Sequence, residues 1–154
     1  MSDGSPPCPP AGATSSDATI RASLERLTAM LHGDVENSAF DAADFETICD
    51  ELGRLHARIR MHHAAICLEA GGGGEPLPPE LAGERDRLVS EYTAILGLLD
   101  VIIRSGDAIS DRPIEDKDVF FLRVYELIAV LRRHMAEEDR LFYLAVWREI
   151  GGES

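Results

Sequence analysis

The strongest constraint on the fold is a set of four segments in which apolar residues recur at steps of three and four. That spacing places the apolar side chains on one face of an α-helix. The most regular segment carries Phe45, Ile48, Leu52, Leu55, Ile59, His62 and Ile66. No segment alternates like a β-strand. Four such helices must bury their apolar faces against one another, so the sequence predicts an all-α, antiparallel up-down four-helix bundle.

Glycine, proline and capping signals set the expected boundaries. Gly33 is the expected C′ residue of the first helix, Asp41 is a possible N-cap of the second, and Gly71–Gly74 with the following prolines ends the second. We expect a disordered N-terminal tail over 1–16, one bundle domain over 17–150 and a short tail over 151–154. The predicted helices cover approximately residues 17–32, 41–70, 80–104 and 115–150.

Net charge limits the partners to be expected, and cysteine content indicates the cellular location. The net charge of −13, from 28 acidic and 15 basic residues, disfavours nucleic acid and anionic membranes as partners. No apolar run has the length of a membrane span. Three cysteines, Cys8, Cys49 and Cys67, form neither an even framework nor a Cys-x-x-Cys pair, which favours a reduced cytoplasmic location.

The chain also indicates an internal repeat. At an offset of 72 residues, from 92 minus 20 and 134 minus 62, the first helix aligns with the third and the second with the fourth. Within that alignment Leu24 matches Leu96, and His62 matches His134. Agreement of both pairs at one offset predicts a duplicated helical hairpin.

The fourth helix holds the first candidate ligands. His134 and Glu138 are four residues apart, so they share one helix face, and both occupy positions that the pattern reserves for apolar residues. A buried carboxylate is costly unless it is paired or binds a metal. An imidazole and a carboxylate at this spacing can bind one cation. The alternative is a slight rotation that places Glu138 in water with Glu137 and Asp139.

Further candidates lie on the second and third helices. His62 occupies a core position in the second helix, and His56 and His63 flank it. A histidine in such a position can also be an interface residue hydrogen-bonded to a neighbour, which we favour for His56 and His63. In the third helix either Glu91 or Tyr92 can face the core, and the pattern does not decide between them. A phosphate loop, an activated nucleophile and a Glu-x-x-His pair are all absent from the sequence.

The segment from His134 to Phe142 resembles the fourth helix of hemerythrin-like, or HHE, cation-binding domains. The resemblance extends over about residues 17–146 and implies a duplicated helical hairpin. Members of that family bind two bridged irons and serve in oxygen binding, oxygen or iron sensing, or the handling of nitric oxide and peroxide. The resemblance implies that His62, His134 and Glu138 are metal ligands. The other family ligand positions hold Ile20, Ile66 and Tyr92.

The sequence therefore predicts a modified iron site assembled from His62, His63, Glu91, Tyr92, His134 and Glu138. Iron, mononuclear or in an incomplete di-iron centre, is the expected cofactor, with zinc or haem as alternatives. We expect a sensor, carrier or store rather than an enzyme, which binds a metal ion and a small diatomic ligand. One alternative is a metal-free adaptor that binds a protein partner or forms a homodimer. Another is a bundle that binds haem between His62 or His63 and His134.

Overall fold

The computed structural model describes residues 11–37, 42–71 and 79–149, and these form four α-helices that pack against one another. Helix α1 spans Ala11–Asn37, α2 spans Ala42–Gly71, α3 spans Pro79–Ala108 and α4 spans Asp118–Glu149. A 3₁₀ turn at Ile114–Lys117 leads into α4. The described residues contain no β-strand, as the apolar spacing predicts. None of the described helices combines the length and the apolar composition that a bilayer crossing requires.

All four helices contribute to the main apolar core. Its fully buried members lie at the positions expected from the steps of three and four, and they include Leu27, Leu31, Leu52, Leu55, Ile59, Leu99, Ile102, Leu127 and Leu131. A second and much smaller cluster contains Leu81, Leu88 and Leu141, near the start of α3 and the end of α4. The apolar interior is therefore divided into a large cluster and a small one.

Polar side chains join each helix to its neighbours. Helix α1 contacts α2 through Ser23 and Glu51, α2 contacts α3 through His56 and Asp100, and α3 contacts α4 through Arg87 and Glu137. Arg21 and Asp139 join α1 to α4. Each helix therefore contacts two others, and the four enclose a single interior.

The helix ends differ from those expected. Helix α1 begins at Ala11 and continues through Gly33 to Asn37, so Gly33 does not end it. Glycine inside a helix costs about 1 kcal/mol relative to alanine, which is too little to stop a helix whose apolar spacing continues. The step of four from Leu31 to Val35 supplies that continuation. Helix α3 likewise extends four residues beyond the expected Arg104, to Ala108.

Several predictions lie outside the described residues. They concern residues 1–10 of the predicted tail over 1–16, the tail over 151–154 and the N-cap at Asp41. Residues 11–16 of the predicted N-terminal tail are instead helical and belong to α1. The side chain of Cys67 is also outside the described part. Cys49 is a free thiol, and burial raises its pKa to about 11.

One buried charge was not expected. Glu51 of α2 is 1% exposed and accepts hydrogen bonds from Ser23, Arg26, Arg54 and Arg58. Burial alone would raise the pKa of this carboxyl, but the hydrogen bonds from Ser23 and the arginines outweigh it and lower the pKa. Glu51 is therefore an ionised group that fixes α1 against α2.

Candidate metal centre

A layer of polar side chains lies between the two apolar clusters. Helix α2 contributes His62, α3 contributes Tyr92, and α4 contributes His134 and Glu138. Both histidines and Tyr92 are almost completely buried, at 1–2% exposure. These residues stand where a leucine would continue the core, so their polar atoms must find partners within the bundle.

Glu138 is the centre of this layer. Nε2 of His62 donates a hydrogen bond to its Oε1 at 2.9 Å, and the Tyr92 hydroxyl donates to its Oε2. The carboxylate is therefore turned inward and joins α2, α3 and α4. This geometry excludes the alternative in which a rotated α4 places Glu138 in water.

Only one of the two ring nitrogens of His134 has a hydrogen-bond partner. Its Nδ1 donates to Oε2 of Glu91 at 2.9 Å, while its ring packs against that of Tyr92 with centroids 4.0 Å apart. Its Nε2 is buried and has no hydrogen-bond partner. Because a carboxylate accepts the proton on Nδ1, the neutral imidazole carries a lone pair on Nε2. A buried nitrogen in this state has the free lone pair that coordination to a metal ion requires.

Asp17 of α1 completes the layer. One ligand atom from each of Asp17, His62 and Glu138 lies within 4.8 Å of the other two. Oδ1 of Asp17 is buried and has no hydrogen-bond partner, whereas Oδ2 accepts a hydrogen bond from Nε of Arg21 at 3.1 Å. His134 is not a member of this group of three, and its unpartnered Nε2 lies one helical turn before Glu138 on α4.

The charges of the layer follow from its contacts. Burial alone would raise the pKa of Glu138, but hydrogen bonds from His62 and Tyr92 outweigh burial and lower it. Burial raises the pKa of Tyr92 far above its ordinary value, and the neighbouring Glu138 carboxylate raises it further. The hydrogen bond from His134 lowers the pKa of Glu91. The layer thus contains ionised carboxylates beside a neutral phenol.

Two arginines border the layer. Arg21 of α1 binds both Asp17 and Asp139, and Arg87 of α3 binds both Glu91 and Glu137. Glu137 and Asp139 are the sequence neighbours of Glu138. Three consecutive acidic residues of α4 therefore face three different helices, with the middle one in the interior.

The structure brings most of the sequence-predicted candidates together. Between the two open alternatives on α3, Tyr92 faces the interior, and Glu91 lies at the rim, where it binds His134 rather than the central cluster. His63 is partly buried, with its ring centroid 6.2 Å from that of Tyr92. His56 lies outside the layer and pairs with Asp100 at 3.0 Å, as expected of an interface histidine. At two positions where the resemblance implied ligands, Ile20 is buried in the apolar core and Ile66 is partly buried against it.

Asp17 is the site residue that the sequence analysis missed. Asp17 is the first residue of the predicted helix over 17–32, and no further role is predicted for it from the sequence. The stripe Ile20, Leu24, Leu27 and Leu31 advances by steps of four and three, and one further step of three backwards reaches Asp17. Extending the pattern by that single step would have placed this carboxylate on the buried face.

The residues present fit a metal ion. Two donor atoms that bind one ion at about 2.1 Å lie about 3 Å apart at right angles and about 4.2 Å apart when opposite. Nε2 of His62 and Oε1 of Glu138, 2.9 Å apart, have about the first spacing, and a metal ion there would replace the proton that Nε2 donates. The ligand atom of Asp17 lies within 4.8 Å of the ligand atoms of both residues. Carboxylate oxygens with imidazole suit iron, manganese or zinc. A haem is a poorer fit, because the Tyr92 ring packs against both His62 and His134.

No protein-family model, curated protein or solved structure matches this chain. Its assignment therefore depends on the geometry of the polar layer. The feature that distinguishes this layer from an ordinary buried network is the pair of unpartnered atoms, Oδ1 of Asp17 and Nε2 of His134. In native proteins such buried polar atoms are rare and call for an explanation.

Proposed function

We propose that the protein is a hemerythrin-like metal-binding bundle with a modified iron site, and that it acts as a sensor, carrier or store. Its proposed topology is antiparallel and up-down. In antiparallel helices, a residue later in one helix contacts a residue earlier in the next. Between α2 and α3, His56 contacts Asp100 and His62 contacts Tyr92. Between α3 and α4, Arg87 contacts Glu137 and Glu91 contacts His134. The cytoplasmic location predicted from the cysteines belongs to this proposal.

The single observation that carries the proposal is the state of His134. Histidine ligands of metals usually donate their second ring N–H to a carboxylate, which fixes the tautomer and the ring orientation. His134 has that arrangement, with Nδ1 bound to Glu91 and Nε2 buried without a partner. A histidine that served packing alone would leave a buried nitrogen unsatisfied for no gain.

The other residues have distinct roles in the proposed site. Asp17, His62 and Glu138 supply the clustered donor atoms, and Glu91 orients His134. Tyr92 donates a hydrogen bond to Glu138 and excludes water from the space between the histidines. Bound iron would supply a redox-active Lewis acid that can bind a small diatomic ligand. The apolar residues at Ile20 and Ile66 leave donors for one metal rather than two.

The test is metal uptake by untagged protein. We expect about one equivalent of Fe²⁺ to bind under anaerobic conditions, detected by elemental analysis after gel filtration. Binding to the native state alone stabilises it by about 2.7 kcal/mol when the free metal is 100 times its Kd. The thermal unfolding midpoint should therefore rise with Fe²⁺ concentration.

Variants at the site make this test specific. H134A and E138A should each abolish the metal-dependent rise in the unfolding midpoint. H56A is the matched control, because it removes a histidine of α2 that pairs with Asp100 outside the layer. Failure of the wild-type protein to bind Fe²⁺ or Zn²⁺ in stoichiometric amount would refute the proposal.

A metal-free adaptor is the second candidate, and one observation favours it. Both oxygens of Glu138 already accept hydrogen bonds, from His62 and Tyr92, so the carboxylate is satisfied by protein groups. In that case H134A and E138A should change stability, while binding to a protein partner persists. The orphaned atoms of Asp17 and His134 favour the metal site over this alternative.

A further inference from the structure

Arg21 stands between the polar layer and solvent at the interface of α1 and α4. Its Nε donates to Oδ2 of Asp17 at 3.1 Å, and one terminal nitrogen donates to Oδ2 of Asp139 at 2.5 Å. The side chains of Arg21 and Asp139 are half exposed, whereas that of Asp17 is mostly covered. The guanidinium is therefore a strap that joins a residue inside the layer to one on the surface.

The strap selects which oxygen of Asp17 faces inward. Arg21 occupies Oδ2, so Oδ1 is the atom left buried and unpartnered. A planar guanidinium bound to two carboxylates restricts the rotation of both. Without it, Asp17 would lose the contact that orients its carboxylate and could turn toward solvent.

The same strap also covers one approach to the site. Asp139 follows Glu138 directly, so the contact between Arg21 and Asp139 ties α1 to the part of α4 that carries the central carboxylate. The corresponding position at the interface of α3 and α4 is covered by Arg87, which binds Glu91 and Glu137. Removal of Arg21 would therefore open the layer on the side of α1 alone.

We propose that Arg21 is a positioning residue that presents Oδ1 of Asp17 to the metal and slows release of the bound ion. This inference rests on the proposed metal function. Arg21 itself is not a ligand, and it retains its contacts with Oδ2 of Asp17 and with Asp139 when the site is filled. Its effect on affinity is exerted through Asp17, and its contact with Asp139 contributes to slow release.

The experiment measures Co²⁺, a probe with visible absorption, in the full-length protein. Affinity is obtained by titration, and the release rate by mixing with excess EDTA. R21Q should weaken Co²⁺ binding by roughly 10- to 100-fold, as is usual when a group that orients a ligand is removed. Most of that change should appear as faster release. D139N should shift release in the same direction by a smaller factor, and R21K should restore part of the affinity.

R132Q is the matched control. Arg132 of α4 donates to Thr28 of α1 at 2.7 Å, so it joins the same two helices away from the layer. Its loss should leave Co²⁺ affinity and release unchanged. Both R21Q and R132Q should leave the urea midpoint of the metal-free protein close to that of wild type, because exposed ion pairs contribute little to stability.

A double-mutant cycle gives the sharpest test. Because Arg21 acts through Asp17, D17A and D17A/R21Q should bind Co²⁺ with equal affinity. The role of Arg21 would be overturned, while the metal function stands, if R21Q released Co²⁺ at the wild-type rate. The same holds if R132Q released Co²⁺ as fast as R21Q does. No uptake of Co²⁺ or Fe²⁺ by wild-type protein would overturn both.

Discussion

Glu51 is as deeply buried as the leucines of the core, yet it is ionised. Its carboxylate survives in the interior because Ser23 and three arginines donate to it, and the exposed ends of those arginines remain hydrated. Nothing in the apolar spacing distinguishes Glu51 from the exposed Glu46 five residues earlier. Its burial depends on the distance between α1 and α2, which a single sequence does not contain.

Replacement of Glu51 should therefore destabilise the fold. E51Q removes charge-assisted hydrogen bonds and should lower the unfolding free energy by about 1.5–3 kcal/mol, measured by urea denaturation at neutral pH. The control E46Q changes an exposed residue of the same helix and should stay within about 0.5 kcal/mol of wild type. Equal effects of the two variants would contradict the assigned role.

The contribution of Glu51 should also depend on pH. The folded state lowers its pKa below the ordinary value of 4.5. The unfolded state then binds the proton more readily, so stabilisation is present above 4.5 and is lost as the pH falls through the folded pKa. The difference in unfolding free energy between wild type and E51Q should accordingly shrink as the pH is lowered below 4.5. A difference that grows in acid would show that burial, rather than hydrogen bonding, controls this group.

The four helices were predictable from apolar spacing because burial of one face is what holds each of them in place. The ends of the helices were not predictable in the same way, since Gly33 lowers helix stability too little to end α1. Of the site, His62, His134 and Glu138 were found because each interrupts an apolar pattern. Asp17 was missed because it lies at the end of such a pattern, where a polar residue looks like the start of a helix.

The glycines of α3 offer a test of how that helix packs. A Cβ on Gly106 would lie 2.9 Å from Cε2 of Phe120 and 3.3 Å from Sγ of Cys49, whereas a Cβ on Gly97 would meet nothing within 4 Å. Phe120 also packs against Phe45 and Phe121, so its ring cannot easily move away.

G106A should therefore lower the unfolding free energy by about 1–3 kcal/mol through overpacking. G97A should raise it by up to about 1 kcal/mol, because alanine is the better helix former. Thermal and urea denaturation of the two variants provide the comparison. Stabilisation by G106A would mean that α3 and α4 are not held as closely as described.

Across the whole molecule, the polar layer separates a large apolar cluster from a small one. The small cluster has only Leu81, Leu88 and Leu141 as buried members. Regions with few buried apolar contacts open more readily than the rest of a protein. The end of the bundle beyond the layer is therefore held largely by the polar groups and by the arginines at their borders.

Hydrogen exchange should reveal this division. Amides of residues 81–90 and 139–144 should exchange faster than those of 95–106 and 120–131 by at least roughly tenfold, which corresponds to about 1.4 kcal/mol. Addition of Fe²⁺ should slow exchange mainly in the first group, because the metal would join α1, α2 and α4 at the layer, and Tyr92 and Glu91 hold α3 to Glu138 and His134. Uniform exchange that Fe²⁺ leaves unchanged would contradict both the division and the proposed site.

The run Glu137, Glu138 and Asp139 has a consequence for the rotational setting of α4. A helix with apolar residues at steps of three and four can slide by seven residues and still bury an apolar face. The acidic triplet, which occurs once in the chain, has no such degeneracy, because its members meet Arg87, His62 and Arg21 on three different helices. Inserting one residue between Leu131 and Glu137 would turn the triplet by about 100° and break all three contacts together. The register of α4 is thus encoded in three adjacent charges rather than in its hydrophobic stripe.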